Sequence, residues 1–456
     1  MARPVSGGGV PNEPRCRANP FWTAGSDAAL KPVVHRIRRA ALFQKLGPGL
    51  ITGAADDDPS GIATYSQAGA QLGVNMLWTM VFTYPLMAAI QMISARIGRV
   101  TGRGLAANMG RVFPRGVVTV LVTLLLVANT INIGADLAAM AAAARLVLGG
   151  SPHLFTLLFA AVSLTLQILV PYHRYVRYLK WLTLALFAYV GVVFTVQIDW
   201  GEVALRTVMP QITLNGATVT LVVAVFGTTI SPYLFFWQAS QEVEDEEADP
   251  ASGPLLENPD QAPAQLRRIR WDTYIGMGFS NLIAFFIILT TAVTLHTAGK
   301  TDIQTSAQAA EALRPIAGDL AFLLFSLGII GTGLLAIPVL AGSAAYAVSE
   351  ARGWKIGLEQ KPREAVGFYA VIGLATLLGI AIAYSPIDPI KALFWSAVLN
   401  GVISVPIMVA MMVVASRRHE MGPFVATLAQ RVFGWIAAGV MAAATVAMFV
   451  LQGWGP

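Results

Sequence analysis

Three consecutive carboxylates followed by Pro-Ser-Gly are the residues of this sequence best suited to chemistry. Asp56, Asp57 and Asp58 precede Pro59 and Gly61, and the flanks of this segment are apolar enough to enter a bilayer. Facing lipid, three ionised Asp side chains would cost on the order of 8 to 10 kcal/mol, so they must face protein, water or a cation. Proline lacks the donor that a continuous helix needs, and glycine tolerates almost any backbone angle. The sequence therefore predicts a helix break, whose unpaired carbonyls would also attract a cation.

A second apolar segment carries the same kind of interruption. Gly227, Thr228, Thr229, Ser231 and Pro232 lie in the middle of a stretch that is otherwise apolar. For this segment alone, a proline that merely kinks a packed helix remains an alternative. A matched pair of interrupted helices in two halves of a chain instead indicates an inverted-repeat transporter with its site near the bilayer midplane.

The composition indicates the elements that must position these residues. The chain has 456 residues, of which 55% are hydrophobic and 12% are charged, and its mean hydropathy is +0.63. These values are typical of an all-α polytopic membrane protein. Apolar windows predict about 11 transmembrane helices, the first and sixth broken. The predicted spans are 47–68, 75–97, 117–147, 154–170, 179–197, 217–241, 272–296, 319–349, 367–384, 390–416 and 431–452.

The basic residues predict the orientation. With these spans, 26 of the 31 Lys and Arg residues lie on one side of the membrane and five on the other. The positive-inside rule then predicts a cytoplasmic N-terminus and an external C-terminus. We expect the protein to lie in the cell inner (plasma) membrane. The net charge of +6 does not indicate nucleic-acid binding, because no basic stripe is interleaved with aromatic residues. Cys16 is the only cysteine, which excludes an intramolecular disulfide or a cysteine-built metal site.

The chain divides into three predicted parts. They are a disordered cytoplasmic tail (1–45), a ten-helix core (46–416, with repeat 1 at about 47–197 and repeat 2 at about 217–416) and a loop with the eleventh helix (417–456). The acidic segment 242–260 is interpreted as a solvated cytoplasmic loop, and a role in sensing or guiding ions is the alternative.

The motifs of this chain resemble those of the Nramp family of divalent metal transporters. Asp58-Pro59-Ser60-Gly61 stands where the family reads Asp-Pro-Gly-Asn, and Gly227 to Tyr233 stands where members read Gly-Ala-Thr-Val-Met-Pro-His. Asp136-Leu137-Ala138 resembles the family's Asp-Leu-Ala-Glu. The resemblance implies a LeuT-like 5+5 inverted repeat that moves a divalent cation by alternating access, with the ion held between broken helices 1 and 6.

The resemblance also implies a set of site residues. Expected metal ligands are Asp58, Asp57, the carbonyls of Ala55 and Thr228, and the hydroxyl of Ser231. Residues expected to line the pathway or relay protons are Asp56, Gly61, Asp136, Tyr233, Gln238 and Asn400. For Ser231, a local bond to the preceding turn is the alternative.

Departures from the family pattern bear on the substrate. The family's Asn and Met are replaced here by Gly61 and Ser231, which leaves only oxygen ligands for hard cations. This pattern is similar to the Nramp-related magnesium transporter branch, so Mg²⁺ is favoured and Mn²⁺ is a close second. Tyr233 and Ala139 replace a family His and acid, so weak or absent proton coupling is expected, with Asp136 the remaining acid.

Other functions are compatible with parts of the pattern. A proton-coupled Mn²⁺/Fe²⁺ symporter of the same family is one alternative. Another is an amine or amino-acid carrier on the same fold, although three Asp residues would repel a substrate carboxylate. An intramembrane aspartyl hydrolase using Asp58 and Asp136 is disfavoured by the lack of a Gly-x-Gly-Asp segment. We therefore expect no enzymatic activity, no cofactor beyond the transported ion, and no partner beyond the lipid bilayer.

Overall fold

The computed structural model describes residues 47–170, 182–358 and 360–453, and these residues are α-helical with short 3-10 and π turns. The predicted tail (1–45) lies outside them. Within these ranges, fourteen α-helices are eight residues or longer. They are α1 (Pro48–Asp56), α2 (Pro59–Leu72), α3 (Trp78–Thr101), α4 (Leu105–Val112), α5 (Arg115–Leu148), α6 (Pro152–Leu169), α7 (Trp200–Val208), α8 (Gly216–Thr229), α9 (Pro232–Glu247), α10 (Ala262–Thr291), α11 (Ala321–Arg352), α12 (Val366–Ala383), α13 (Pro389–Ser416) and α14 (Leu428–Gly453).

Nine stretches of the described chain are long and apolar enough to cross a membrane. They coincide with nine of the eleven predicted spans. The first predicted span is built from the two shorter helices α1 and α2. The fifth, 179–197, begins outside the described residues and continues as a short helix, Phe187–Val192. The chain is thus a multi-pass membrane protein. The first and fifth spans, and with them the count of eleven, stay predictions.

Both helix breaks lie where the sequence predicts them. α1 ends at Asp56 and α2 begins at Pro59, so only two residues separate the helices. α8 ends at Thr229 and α9 begins at Pro232, again with two residues between them. In each case proline is the first helical residue, where its missing N–H costs no hydrogen bond.

The half-helix that precedes each break is held by close backbone contacts. A Cβ atom at Gly53 would lie 2.3 Å from the carbonyl oxygen of Gly276 on α10. A Cβ atom at Gly227 would lie 2.1 Å from the carbonyl oxygen of Ala397 on α13. Small residues allow membrane helices to approach this closely, so α1 is docked on α10 and α8 on α13.

The helices around the breaks form the core. α10 packs against both α1 and α2, and α13 packs against α8 and α5. α5 also packs along α11 and α12. Large aromatic side chains, among them Tyr65, Tyr233, Trp237 and Tyr346, are fully buried in this core. The two breaks are therefore enclosed by α5, α10 and α13.

The first part of the acidic segment 242–260 is not a solvated loop, so that interpretation was wrong there. Residues 242–247 form the last turns of α9, and Glu242 and Glu246 are buried. Glu242 pairs with Arg268, and Glu246 lies 3.5 Å from Arg99. A buried carboxylate requires such a partner, and arginines of α3 and α10 supply it. Only the later part of the segment is largely exposed.

Candidate ion-binding site

Asp58 occupies the N-cap of α2 and uses one carboxylate oxygen for that purpose. Its Oδ1 accepts hydrogen bonds from the Gly61 amide and the Ser60 hydroxyl, each at 2.7 Å. An N-cap carboxylate satisfies donors that the start of a helix leaves free, and it is favoured by the helix dipole. The second oxygen, Oδ2, faces α5 and α9. The fold therefore fixes the Asp58 side chain and directs one oxygen into the core.

Asn132 of α5 joins Asp58 to two other polar residues. Its Nδ2 atom lies 3.0 Å from Asp58 Oδ2 and 3.2 Å from Asp136 Oδ2. Its Oδ1 atom accepts a 3.4 Å hydrogen bond from Asn400 Nδ2 on α13. Among the described residues, the remaining side-chain oxygens of Asp136 and Asn400 have no hydrogen-bond partner. Three expected site residues, Asp58, Asp136 and Asn400, thus meet through Asn132, which was not among the expected site residues.

Asp56 and Asp57 point elsewhere, toward α10. The Ser280 hydroxyl lies 2.6 Å from Asp56 Oδ2 and 3.1 Å from Asp57 Oδ1. A hydroxyl has a single proton, so it can satisfy only one of these carboxylates at a time. Asp56 Oδ1 has no hydrogen-bond partner in the described part of the chain. Both carboxylates therefore retain strong acceptor capacity. Ser280 is a polar residue in an apolar helix, and nothing else in the sequence of α10 indicates that it is the partner of Asp56 and Asp57.

The three aspartates do not converge on one point. In residues 47–170, 182–358 and 360–453, no three His, Cys, Asp or Glu side chains form a group arranged to hold a metal ion. Any ion bound here must therefore take part of its shell from carbonyl, hydroxyl or amide oxygens, or from water. The structure places the expected ligand Asp57 beside Asp56, so its role as a ligand stays a prediction.

Tyr233 brings α9 to the same point as Asp58. Its hydroxyl oxygen lies 3.5 Å from Asp58 Oδ2 and 3.4 Å from the carbonyl oxygen of Ala55. Both distances are long for hydrogen bonds of a hydroxyl group. Three oxygens from α1, α9 and the first break are thus close together without being tightly bonded. The sequence had assigned Tyr233 to the pathway only.

The hydroxyl of Ser231 faces its own helix turn. It lies 2.9 Å from the carbonyl oxygen of Gly227 and 2.8 Å from that of Thr228, and it donates to this pair. This is the local bond that was the alternative to a ligand role. Because a carbonyl oxygen has two lone pairs, Thr228 can still bind a cation through the other.

Gly61 lies at the contact between the two broken segments. A Cβ atom there would lie 3.2 Å from Thr228 Oγ1 and 3.3 Å from the Tyr65 ring. Nearby, the hydroxyls of Tyr65 and Thr229 lie 3.1 Å apart and share a hydrogen bond. The absence of a side chain at Gly61 therefore allows α2 and α8 to approach closely, and this space is not an open pocket.

Gln238 is outside the Asp58 cluster. Its Oε1 accepts a 2.5 Å hydrogen bond from the Thr52 hydroxyl of α1. Its Nε2 atom is buried and has no partner among the described residues. Gln238 thus links α9 to the half-helix on the N-terminal side of the first break, and its role in the pathway stays a prediction.

The whole cluster is closed to solvent. Asp56, Asp57 and Asp58 are at most 2% exposed, and Asp136 and Tyr233 are fully buried. An ion can reach Asp58 from either side only if the helices around the breaks move. A buried site between broken helices is the arrangement on which alternating access operates.

Comparison with known proteins identifies the family. The Nramp family, described as natural resistance-associated macrophage protein-like, matches residues 49–451 of this chain. The chain belongs to the Nramp family. A relative named as the divalent metal cation transporter MntH of Klebsiella pneumoniae (strain 342) is 27% identical, over 92% of this chain and 95% of its own.

Solved structures show that this Nramp protein shares a transporter fold. The manganese transporter of Eremococcus coleocola superposes with a TM-score of 0.70 at 15% identity, covering 95% of this chain and 91% of that one. Mhp1, a nucleobase-cation-symport-1 family transporter in a closed conformation, superposes with a TM-score of 0.54 at 15% identity, covering 90% of this chain and 93% of that one.

These comparisons decide some expectations and leave others open. The family resemblance is confirmed, and so is the all-α, LeuT-like fold. The proposed kinship with a magnesium-transporting branch is not supported, since the named relatives are divalent metal cation and manganese transporters. The amine or amino-acid carrier gains no support from them either. The roles of individual site residues stay predictions.

Proposed function

We propose that this Nramp protein moves a divalent metal cation across its membrane, with the ion held between the two helix breaks. The observation that carries the proposal is the position of Asp58 Oδ2. This oxygen is buried in a membrane protein and lies 3.5 Å from the Tyr233 hydroxyl, which in turn lies 3.4 Å from the Ala55 carbonyl oxygen. A buried carboxylate beside loosely bonded neutral oxygens favours a cation, because burial without one is costly.

Transport follows from the way the breaks are held. Asp58 is fixed at the start of α2, while Ala55 belongs to α1 and Thr228 to α8. Movement of either half-helix relative to its partner would separate these oxygens and open the site to one side. α5, α10 and α13 then serve as the frame against which the broken helices move.

Manganese is the ion that we propose first. The candidate donors are carboxylate, carbonyl and hydroxyl oxygens, which suit Mn²⁺ as well as Mg²⁺. The relatives named for manganese and divalent metals support the same choice.

Magnesium is the second candidate, because no thioether takes part in the site. Ser231 stands at the position of the family's Met and presents only a hydroxyl. An oxygen-only set does not favour soft transition metals, and it admits an ion that retains some of its waters. Mg²⁺ and Mn²⁺ must therefore be compared directly.

The proposed transport could be coupled to proton movement or uncoupled from it. The replacement of a family His by Tyr233 favours weak coupling, since a neutral phenol does not exchange protons near pH 7. Asp136 favours the coupled version, because it is joined to Asp58 through Asn132 and one of its oxygens has no described partner. If coupling occurs, Asp136 is the residue that we propose as the proton carrier.

The deciding experiment is uptake by the purified protein in liposomes that contain a pH-sensitive dye. We expect Mn²⁺ to enter faster than Mg²⁺, and Asp58→Ala to abolish uptake of both. Asp388→Ala is the matched control, since Asp388 also caps a membrane helix, accepting from the Ile390 and Lys391 amides, but lies outside the site. Unchanged uptake by Asp58→Ala, or equal loss in the control, would refute the proposed site.

A further inference from the structure

A groove on the surface of the molecule is a second candidate binding site. This groove, of about 600 Å³, runs between α3, α10 and the start of α14. Arg96, Arg267 and Arg270 line it, and no Asp or Glu does. None of the residues of the Asp58 cluster borders this groove. Its lining is therefore cationic and unrelated to the proposed ion path, whose charge is negative.

The three arginines differ in how they are held. Arg96 is half-buried, with Nη1 at 3.3 Å from the carbonyls of Phe424 and Val425, and its buried Nε has no partner in the described chain. Arg267 and Arg270 are exposed on successive turns of α10, and no described carboxylate forms an ion pair with either. The groove thus presents guanidinium groups that are available to an external anion.

The start of α14 adds to this positive character. Thr427 precedes the helix and lines the groove together with Gln430. The two residues cap each other, with the Thr427 amide at 3.0 Å from Gln430 Oε1 and the Gln430 amide at 3.3 Å from Thr427 Oγ1. The N-terminal end of a long helix carries a partial positive charge, which favours an anion at this place.

One side of the groove carries exposed aromatic side chains. Tyr274 and Phe433 line it and are 38% and 41% exposed, on helices that are candidate membrane spans. Trp271, next to Arg270, is 58% exposed. Exposed aromatic side chains of this kind mark the level of the lipid headgroups. A ligand that fits both features has an anionic head and apolar chains.

We propose that this groove binds an anionic phospholipid, with its phosphate held by Arg267, Arg270 and Arg96 and its acyl chains beside Tyr274 and Phe433. Basic pockets between membrane helices on the cytoplasmic side are a known form of lipid recognition, and the count of basic residues places the groove on the side predicted to be cytoplasmic. Residues 1–46 are a poor alternative occupant, because they carry eight Lys and Arg but only two acids.

The test is binding of phosphatidylglycerol to the purified full chain, measured by native mass spectrometry in a neutral detergent. We expect phosphatidylglycerol to be retained and phosphatidylcholine to be lost. The variant R267Q/R270Q should bind phosphatidylglycerol about 25-fold more weakly, since each basic residue near an anionic lipid contributes about fivefold. R267K/R270K keeps the charge and should retain most of the binding.

The control variant is R103Q/R363Q, which removes two exposed arginines outside the groove. Equal weakening in this control would overturn the proposal, and so would unchanged binding by R267Q/R270Q. Glycerol phosphate and inorganic phosphate test the need for acyl chains: if either displaces the lipid at equal concentration, the groove binds a free anion instead. If the double variant does not fold, the single variants R267Q and R270Q replace it.

Discussion

The two helix breaks share a backbone design and differ in their chemistry. Each has two non-helical residues followed by a proline that begins the next helix. At the first break the cap residue Asp58 accepts bonds from the helix that follows, through Ser60 and Gly61. At the second, Ser231 caps nothing ahead and donates back to the carbonyls of the helix that precedes it.

This difference indicates that the two breaks contribute differently to ion binding. The first break concentrates negative charge and leaves Asp58 Oδ2 directed into the core. The second break is neutral, and the Ser231 hydroxyl shares its single proton between the carbonyls of Gly227 and Thr228. We infer that the first break supplies the charge that attracts the ion, and that the second supplies at most one neutral oxygen and the movable half-helix.

The largest expected effect is at Asp58, with Asp58→Asn. The amide oxygen can still accept from the Gly61 amide, so the cap survives while the charge is lost. Mn²⁺ should stabilise the unaltered protein against heat, and we expect that stabilisation to vanish in the variant, corresponding to at least 100-fold weaker binding. The measurement is the shift of the melting temperature with Mn²⁺ concentration.

Asp388→Asn, at the cap of α13, serves as the control and should keep the full shift. A normal Mn²⁺ response in Asp58→Asn would contradict the proposed difference between the breaks, because the charge of the first break would then not contribute to ion binding.

The second prediction concerns the contact between the breaks, through Gly61→Asn. A Cβ atom at this position is tight against Thr228 and Tyr65, so we expect the free energy of unfolding to fall by about 1 to 3 kcal/mol. The variant restores the family residue, yet it should weaken Mn²⁺ binding because α2 and α8 are forced apart. Thermal unfolding with and without Mn²⁺ measures both effects.

Gly110→Asn on α4 is the matched control, because nothing lies within 4 Å of a Cβ atom there. Tighter Mn²⁺ binding by Gly61→Asn would show that the second break can rearrange to admit a ligand side chain, contrary to the packing argument.

The positions of both breaks could be predicted because their causes are local. Pro59 and Pro232 lack an N–H, and each follows a polar residue in an apolar segment, so the helix had to restart there. The burial of Asp58 and Asp136 also followed from the spans alone. These features depend only on neighbours within a few positions along the chain.

The partners of the aspartates could not be predicted in the same way. Asp56 meets Ser280 from 224 positions away, and Asp58 meets Asn132 from 74 positions away. Such pairs depend on which helix faces which, and periodicity does not determine this. The interpretation of segment 242–260 as a solvated loop was wrong for the same reason, because the arginines that pair with Glu242 and Glu246 come from other helices.

The third prediction, for Asp136→Asn, distinguishes ion binding from proton transfer. Asn132 lies between Asp136 and Asp58, so the change should alter Mn²⁺ affinity by less than tenfold. If Mn²⁺ uptake acidifies the liposome interior, that acidification should disappear and the pH dependence of uptake should flatten. Asp319→Asn, at an exposed position, is the control. Acidification that persists in Asp136→Asn would exclude Asp136 as the proton carrier.

The smallest effect is expected at the second break, with Ser231→Ala. The hydroxyl bonds only its own turn, so its loss should lower the free energy of unfolding by about 0.5 to 1.5 kcal/mol. Mn²⁺ affinity, measured by the same thermal shift, should change by less than about threefold, since a typical local hydrogen bond is worth little to a neighbouring site. Ser396→Ala removes an equivalent bond to Leu393 in α13 and should cost as much stability. Loss of Mn²⁺ binding in Ser231→Ala alone would make that hydroxyl a ligand, and the neutral break would then contribute to the ion shell as directly as Asp58.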